Sequence, residues 1–142
     1  MDKETVKFVD ANIFLEVFLK DNRWEEARDF LNKLSKEEFK GVTSDFIVFS
    51  ILLQIQDKAK STDLMKDFIT ALGNIEGLKV AHFTYGILLK AMVLMEKYGL
   101  DFDDSLQVGF MESMGIKEII SFDKDFDRIP GIKRVEPRET LH

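Results

Sequence analysis

Short apolar runs alternate along the chain with amphipathic segments. The first run, Val6–Val9, has the length of a buried strand and ends in Asp10. Apolar residues at helical spacing follow at once, over Ile13–Phe18. This order predicts a strand that passes directly into a helix, with the Asp10 carboxylate at the carboxyl edge of a sheet.

The same alternation continues to the end of the chain. It predicts an α/β fold of three layers, with helices on both sides of a mainly parallel five-stranded sheet. The further helices are expected at about Asn22–Leu34, Phe46–Ile55, Ser61–Leu72, Thr84–Tyr98 and Asp103–Met114. The further strands are expected at Val42–Thr43, Leu78–Phe83, Glu118–Ser121 and Lys133–Val135.

The helix expected at Phe46–Ile55 is apolar on nearly all sides, which indicates burial or an oligomer interface. Ser50 and Gln54 interrupt it four residues apart, so they share one face. Polar groups on a buried helix need partners. They are either satisfied within the protein or line a pocket that receives water and a ligand.

The composition is that of one globular domain. The chain has 142 residues, of which 45% are apolar, enough for one substantial core. We expect a single domain over residues 1–142, with its core at about 5–136. The last residues, 137–142, are expected to form a frayed tail.

Cysteine content, hydropathy and charge limit the classes of function. A chain without cysteine has no disulfide and no thiolate metal site, which favours a reducing, cytoplasmic location. We expect no signal peptide, because the first residues lead straight into the first strand. We expect no membrane association, because no apolar run approaches the ~20 residues of a bilayer span. The net charge of −6 gives little non-specific attraction to nucleic acid phosphates. A nucleic acid substrate would therefore require a bridging cation or a local basic patch.

Acidic residues from distant parts of the chain are predicted to meet at one edge of the sheet. Asp10 and Asp123 follow strands, whereas Asp103 and Asp104 begin a helix. Strand carboxyl ends and helix amino ends share an edge when the crossovers are right-handed. In the strand order 3-2-1-4-5, Asp10 and Asp123 would flank the switch point where ligands bind. Any one of these acids alone is more typical of a helix cap.

Carboxylates held this close repel one another unless a cation lies among them. Oxygen ligands without histidine or cysteine suit Mg²⁺ or Mn²⁺, which can activate water and stabilise charge at phosphorus. The sequence contains neither a P-loop nor a G-x-G-x-x-G motif after its first strand. A metal-dependent reaction at a phosphate is therefore favoured over nucleotide binding of those kinds.

Four segments in order resemble a PIN domain, the nuclease fold of the VapC-type toxins. They read F-V-D-A-N-I-F-L-E, T-S-D-F-I-V-F-S-I-L, Y-G-L-D-F-D-D-S-L and I-I-S-F-D-K-D-F-D-R-I. The resemblance covers about Val6–Val135 and implies a parallel sheet of order 3-2-1-4-5. It also implies a Mg²⁺- or Mn²⁺-dependent ribonuclease acting on single-stranded RNA. A homodimer and an antitoxin-like protein partner are implied as well.

The resemblance assigns roles to individual residues. Asp10, Asp104 and Asp123 match the acids that bind the metal and carry catalysis. Asn12, Asp103 and Ser121 then become supporting residues, with the Ser121 hydroxyl behind the metal ligands. Asp125 and Asp127, in the following turn, are expected to be solvated, with the alternative that one of them reaches the site.

The second segment departs from the family pattern. Family members usually carry glutamate where this chain has Ser50, and a hydroxyl is a poorer cation ligand than a carboxylate. Ser50 and Gln54 are therefore predicted to line the acidic pocket. The loss of a carboxylate should weaken metal binding. The alternative function is a PIN-fold pseudo-enzyme that acts as a dimerisation or protein-binding module.

Overall fold

The structure is a computed structural model that describes residues 5–141. Within these residues the chain forms one parallel sheet, flanked by helices. The strands are β1 (Val6–Val9), β2 (Lys40–Ser44), β3 (Leu78–Ala81), β4 (Glu118–Ile120) and β5 (Lys133–Val135). The helices are α1 (Ala11–Phe18), α2 (Trp24–Ser35), α3 (Asp45–Ala59), α4 (Thr62–Gly73), α5 (Tyr85–Tyr98) and α6 (Phe102–Met114). Two 3-10 helices cover Lys124–Arg128 and Pro137–Thr140.

The order of the strands is β3-β2-β1-β4-β5, and every neighbouring pair is parallel. This confirms the predicted fold class and strand order. β1 lies at the centre, and its Phe8 and Val9 are fully buried. Val9 pairs with Ile120 of β4, so the residues that follow the two strands, Asp10 and Ser121, emerge side by side.

Helix ends explain how the chain turns at this edge. The Ser44 hydroxyl accepts a hydrogen bond of 3.2 Å from the Ile47 amide and begins α3 directly after β2. At the other end of the helical layer, Gly99 and Gly115 adopt φ values of +66° and +69° and end α5 and α6. Both glycines occupy the left-handed region, where a side chain would be strained.

Helix α3 is less buried than its apolar sequence suggests. It packs Ile47, Ile51 and Ile55 into the core but leaves Phe49 and Leu53 61% and 64% exposed. The sequence indicates either burial or an oligomer interface for this helix, and burial in the core accounts for only part of it. The exposed part is apolar surface.

The carboxyl-terminal segment differs from the frayed tail that the sequence predicts. Residues 137–140 form a 3-10 helix in which Pro137 and Thr140 are buried. Glu136 accepts hydrogen bonds from both Arg23 and Arg134, and these ion pairs lower the pKa of Glu136 to about 2. His142 lies outside the described residues. No helix in the described part of the chain has the length and apolar character to cross a bilayer.

Candidate active site

A pocket of about 170 Å³ opens at the carboxyl edge of the sheet, between α1, α3, α6 and the turn after β4. The structure brings seven of the eight predicted site residues to its wall. They are Asp10, Asn12, Ser50, Gln54, Asp103, Asp104 and Asp123. The eighth, Ser121, is fully buried and bonds to Asp10.

Asp10 is fixed by hydrogen bonds at both of its carboxylate oxygens. Its Oδ1 accepts from the Ala11 amide at 2.7 Å, which makes Asp10 the cap of α1. Its Oδ2 accepts from Ser121 Oγ at 2.6 Å and from Asn12 Nδ2 at 3.1 Å. Asn12 and Ser121, which the sequence predicts to support the site, therefore bond directly to this carboxylate.

Asn12 and Ser121 also join the two central strands beyond their last paired residues. Asn12 Nδ2 donates to Ser121 Oγ at 3.2 Å, and Asn12 Oδ1 accepts from the Phe122 amide at 3.3 Å. The Asp123 amide donates to Ser121 Oγ at 2.9 Å. One hydroxyl thus links Asp10 to the segment that carries Asp123.

Burial raises the pKa of Asp10 to about 6. The hydrogen bonds from Ser121 and Ala11 oppose this rise, because they stabilise the carboxylate. The charge of Asp123 raises the pKa further. Asp10 is 5% exposed, so little water is available to compensate for this repulsion.

The tightest acidic group in the described chain consists of Asp104, Asp123 and Asp125. One carboxylate oxygen of each lies within 4.8 Å of the others. Asp125 was expected to be solvated. It is exposed, but the 3-10 helix after Asp123 turns it back toward the pocket, where its amide donates to Asp123 Oδ1 at 2.9 Å. Asp127 instead pairs with Arg134.

Asp104 carries the electrostatic signature of this crowding. Burial raises its pKa to about 7, and the charges of Asp123, Asp103, Asp10 and Asp125 contribute in that order. Protonation near neutral pH reduces the repulsion among these carboxylates, and a bound cation would reduce it as well. The residues therefore fit a hard divalent ion between Asp104 and Asp123, with Asp10 facing the same pocket and the exposed Asp125 at its rim.

Helix α3 contributes only neutral groups to the pocket wall. Gln54 Nε2 donates a hydrogen bond of 3.2 Å to Ser50 Oγ, so the two predicted pocket residues satisfy one another in part. Asp103 is exposed at the rim, and the cap position of α6 belongs to Asp101. The pocket is thus acidic on the α6 and β4 sides and neutral on the α3 side.

Gln107 is a pocket residue that the sequence interpretation missed. It lies on α6, is 5% exposed and lines the pocket. Contact with its side chain lowers the pKa of Asp10. The available signal was its position three residues after Asp104, which places both on one face of a helix.

Arg134 supports the site from behind. Its guanidinium donates to the Ser121 carbonyl at 3.0 Å and to Asp127 at 2.8 Å. Strand β5, which carries Arg134, is therefore tied to Ser121 directly after β4 and to the 3-10 helix that contains Asp127.

Comparison with known proteins assigns the chain to a family. The model of the PIN domain matches residues 7–132. A search of curated protein sequences finds none that is similar to the chain.

Solved structures share the fold at low sequence identity. Mycobacterium tuberculosis VapC20, described as a sarcin-ricin loop cleaving toxin, gives a TM-score of 0.76 at 18% identity, over 94% of this chain and 100% of that chain. A toxin-antitoxin complex from Klebsiella pneumoniae gives 0.69 at 18% identity, over 92% and 97%. VapBC2 from Rickettsia felis, bound to a DNA fragment from its promoter, gives 0.67 at 15% identity, over 93% and 98%.

The family model covers most of the 142 residues, including Asp10, Asp104, Asp123 and the strands that position them. The fold of the solved structures agrees with it over nearly the whole chain. The chain therefore belongs to the PIN domain family.

Proposed function

We propose that this PIN domain is a divalent-metal-dependent ribonuclease whose acidic pocket holds Mg²⁺ or Mn²⁺. The supporting observation is that three carboxylates from α6 and the β4–β5 turn approach within 4.8 Å, beside the buried Asp10. Such an arrangement is costly without a cation, because like charges in a partly buried site raise one another's pKa. A divalent ion offsets that cost.

Some residues of the pocket would bind the ion, and others would orient its ligands. Asp104, Asp123 and Asp10 would hold the ion, while Ser121 and Asn12 keep the Asp10 carboxylate in one orientation. Once bound, a divalent ion supplies a more acidic water and stabilises charge at phosphorus. The exposed Asp103 and Asp125 add negative charge at the rim, where an RNA phosphate would approach only with its charge compensated.

Single-stranded RNA is the proposed substrate. Support comes from the family and from the fold shared with VapC20, which is described as a sarcin-ricin loop cleaving toxin. The net charge of −6 makes a metal-mediated contact with phosphate more plausible than a broad electrostatic one. We place this activity in the cytoplasm.

We further propose that the protein forms a homodimer and binds an antitoxin-like protein. Solved relatives include toxin-antitoxin complexes, two of them bound to DNA. The chain itself exposes an apolar stripe on α5, with Leu89, Met92 and Val93 50–64% exposed. A pocket lined by Phe49 of α3, by Phe83 and by Leu88 of α5 lies between the two helices. We call Phe49, Leu53, Leu89, Met92 and Val93 the α3–α5 surface.

Ser50 favours a second function. Because α3 presents a hydroxyl and an amide to the pocket instead of a carboxylate, metal binding could be too weak for catalysis. In that case the chain would be a PIN-fold pseudo-enzyme that acts through the α3–α5 surface. It would associate stably without showing metal-stimulated cleavage.

Cleavage of single-stranded RNA with Mn²⁺ or Mg²⁺ tests the proposal. The native chain should cleave, chelator should stop the reaction, and Asp10→Asn should abolish it. Asp21→Asn, a matched change on the exposed loop between α1 and α2, should leave the rate unchanged. Cleavage that survives Asp10→Asn in a clean preparation contradicts a reaction at this pocket.

A further inference from the structure

Gln107 carries a buried polar atom that nothing in the described chain satisfies. Its Oε1 is buried and has no hydrogen-bond partner among residues 5–141. An unsatisfied buried oxygen destabilises the folded state, so proteins keep few of them. The side chain lines the acidic pocket beside Asp10, so the missing partner belongs in that pocket.

The amide cannot gain by turning over. The side chain approaches the Asp10 carboxylate and lowers its pKa, which only the Nε2 end, a hydrogen-bond donor, can do. Reversing the amide would place Oε1 against that carboxylate and leave two acceptors facing one another. The orientation is therefore set by Asp10, and Oε1 remains the free end.

Donors for this oxygen are scarce on the pocket wall. No lysine or arginine lines the pocket in the part of the chain that the structure describes. Asn12 Nδ2 is used by Asp10 and Ser121, and Gln54 Nε2 is used by Ser50. In the ionised form that binds a cation, the pocket carboxylates accept hydrogen bonds but cannot donate them. A cation that prefers oxygen fits this set better than any side chain present.

We infer that Gln107 Oε1 is a neutral oxygen ligand of the divalent ion, beside the carboxylates of Asp104 and Asp123. This assignment rests on the proposed metal-dependent function and extends it to a residue on α6. It makes α6 the source of two ligands, one turn apart. It also means that a neutral oxygen ligand from α6 compensates for the carboxylate that α3 does not supply.

Calorimetric titration of the full chain with Mn²⁺ at pH 8 tests the assignment. Asp10 and Asp104, with pKa values of about 6 and 7, are largely ionised at that pH, so altered protonation contributes little. Gln107→Met keeps the unbranched shape but has no oxygen, and it should weaken Mn²⁺ binding about tenfold. Gln56→Met, an exposed glutamine on α3 outside the pocket, should bind as the native chain does.

Gln107→Glu separates the oxygen from the amide N–H. The glutamate keeps an oxygen but loses the donor to Asp10, so the inference expects Mn²⁺ binding at least as tight as in the native chain. Thermal unfolding without metal checks that each variant is folded. Equal weakening in Gln107→Met and Gln107→Glu would assign the effect to the bond with Asp10 and overturn the ligand role.

Two other results have distinct meanings. If the native chain binds Mn²⁺ and Gln107→Met binds it equally well, water satisfies Oε1 and only the ligand assignment is wrong. If the native chain binds no Mn²⁺, the proposed function fails together with this inference.

Discussion

Ser121 Oγ donates a hydrogen bond of 2.6 Å to Asp10 Oδ2, across the end of the two central strands. The two residues are 111 positions apart in sequence, and the pairing of β1 with β4 places them side by side. The bond stabilises the ionised form of a carboxyl whose pKa burial raises. Ser121 thereby keeps Asp10 available to a cation at lower pH.

Ser121→Ala should therefore weaken Mn²⁺ binding at pH 7 about tenfold, with a smaller loss at pH 8. The loss arises because the pKa of Asp10 rises when its hydroxyl partner is removed. Titration at both pH values measures the effect. Ser121→Thr should restore binding, and Ser113→Ala, which removes a hydroxyl on α6 outside the pocket, should not change it. Native affinity in Ser121→Ala at pH 7 would contradict this role.

Because two carboxyl pKa values are raised, the stability of the metal-free protein should depend on pH. The usual value is 3.8, and folding raises it to about 6 for Asp10 and about 7 for Asp104. The folded state thus binds protons more readily than the unfolded state. The raised pKa values therefore stabilise the folded state, on the order of 3 kcal/mol for Asp10. This stabilisation is complete below a pH of about 4 and is lost as the pH rises through the pKa values of the folded state.

Thermal unfolding in chelator should accordingly give a higher melting temperature at pH 5 than at pH 8. Asp10→Asn should reduce the difference, because asparagine does not titrate and only the Asp104 contribution remains. Mn²⁺ should stabilise the native chain more at pH 8 than at pH 5, where protons compete for the same oxygens. A metal-free protein that gains stability from pH 5 to pH 8 would contradict the crowding of these carboxyls.

A carboxylate restored on α3 distinguishes the two proposed functions. Ser50→Glu adds an oxygen ligand to the neutral wall and should tighten Mn²⁺ binding by about tenfold. Ser50→Gln adds similar bulk without charge and serves as the matched control. RNA cleavage is the second measurement.

Each pattern of cleavage has one interpretation. Cleavage by both the native chain and Ser50→Glu supports a metal site that tolerates the serine. Cleavage by Ser50→Glu alone supports the pseudo-enzyme. Cleavage by the native chain alone means that Ser50 does not occupy the position of the family glutamate.

The α3–α5 surface should hold two copies of the chain together. Leu89 is 64% exposed on α5, and a charge there would be buried in an interface formed by this surface. Leu89→Asp should shift the protein from dimer to monomer in analytical ultracentrifugation. Asn22→Asp adds the same charge to the loop between α1 and α2 and should leave the dimer intact. A native chain that sediments as a monomer at high concentration contradicts the proposed homodimer.

The sequence predicts the architecture because its signals are local. Val6–Val9 is short, apolar and followed at once by a helical pattern, and the structure confirms the strand, the helix and the central place of β1. Bounds shift by a few residues where the cap decides the end. Strand β2, for example, runs from Lys40 to Ser44 because Ser44 caps the next helix.

The parts that the sequence does not predict depend on partners distant in the chain. Pro137–Thr140 resembles a tail until Glu136 is seen between Arg23 and Arg134. Asp125 approaches Asp123 through a 3-10 turn that no apolar period signals. Gln107 lies within an apolar stretch of α6, and only the structure shows that its buried Oε1 lacks a hydrogen-bond partner among the described residues.

The most direct test of the metal pocket is the position of the ion itself. Crystals of the native chain soaked in Mn²⁺ should show one anomalous peak within coordination distance of Asp104 and Asp123, on the side of the pocket that faces Asp10. An anomalous map with no peak there, or with Mn²⁺ bound only at surface carboxylates elsewhere, would contradict the proposed site.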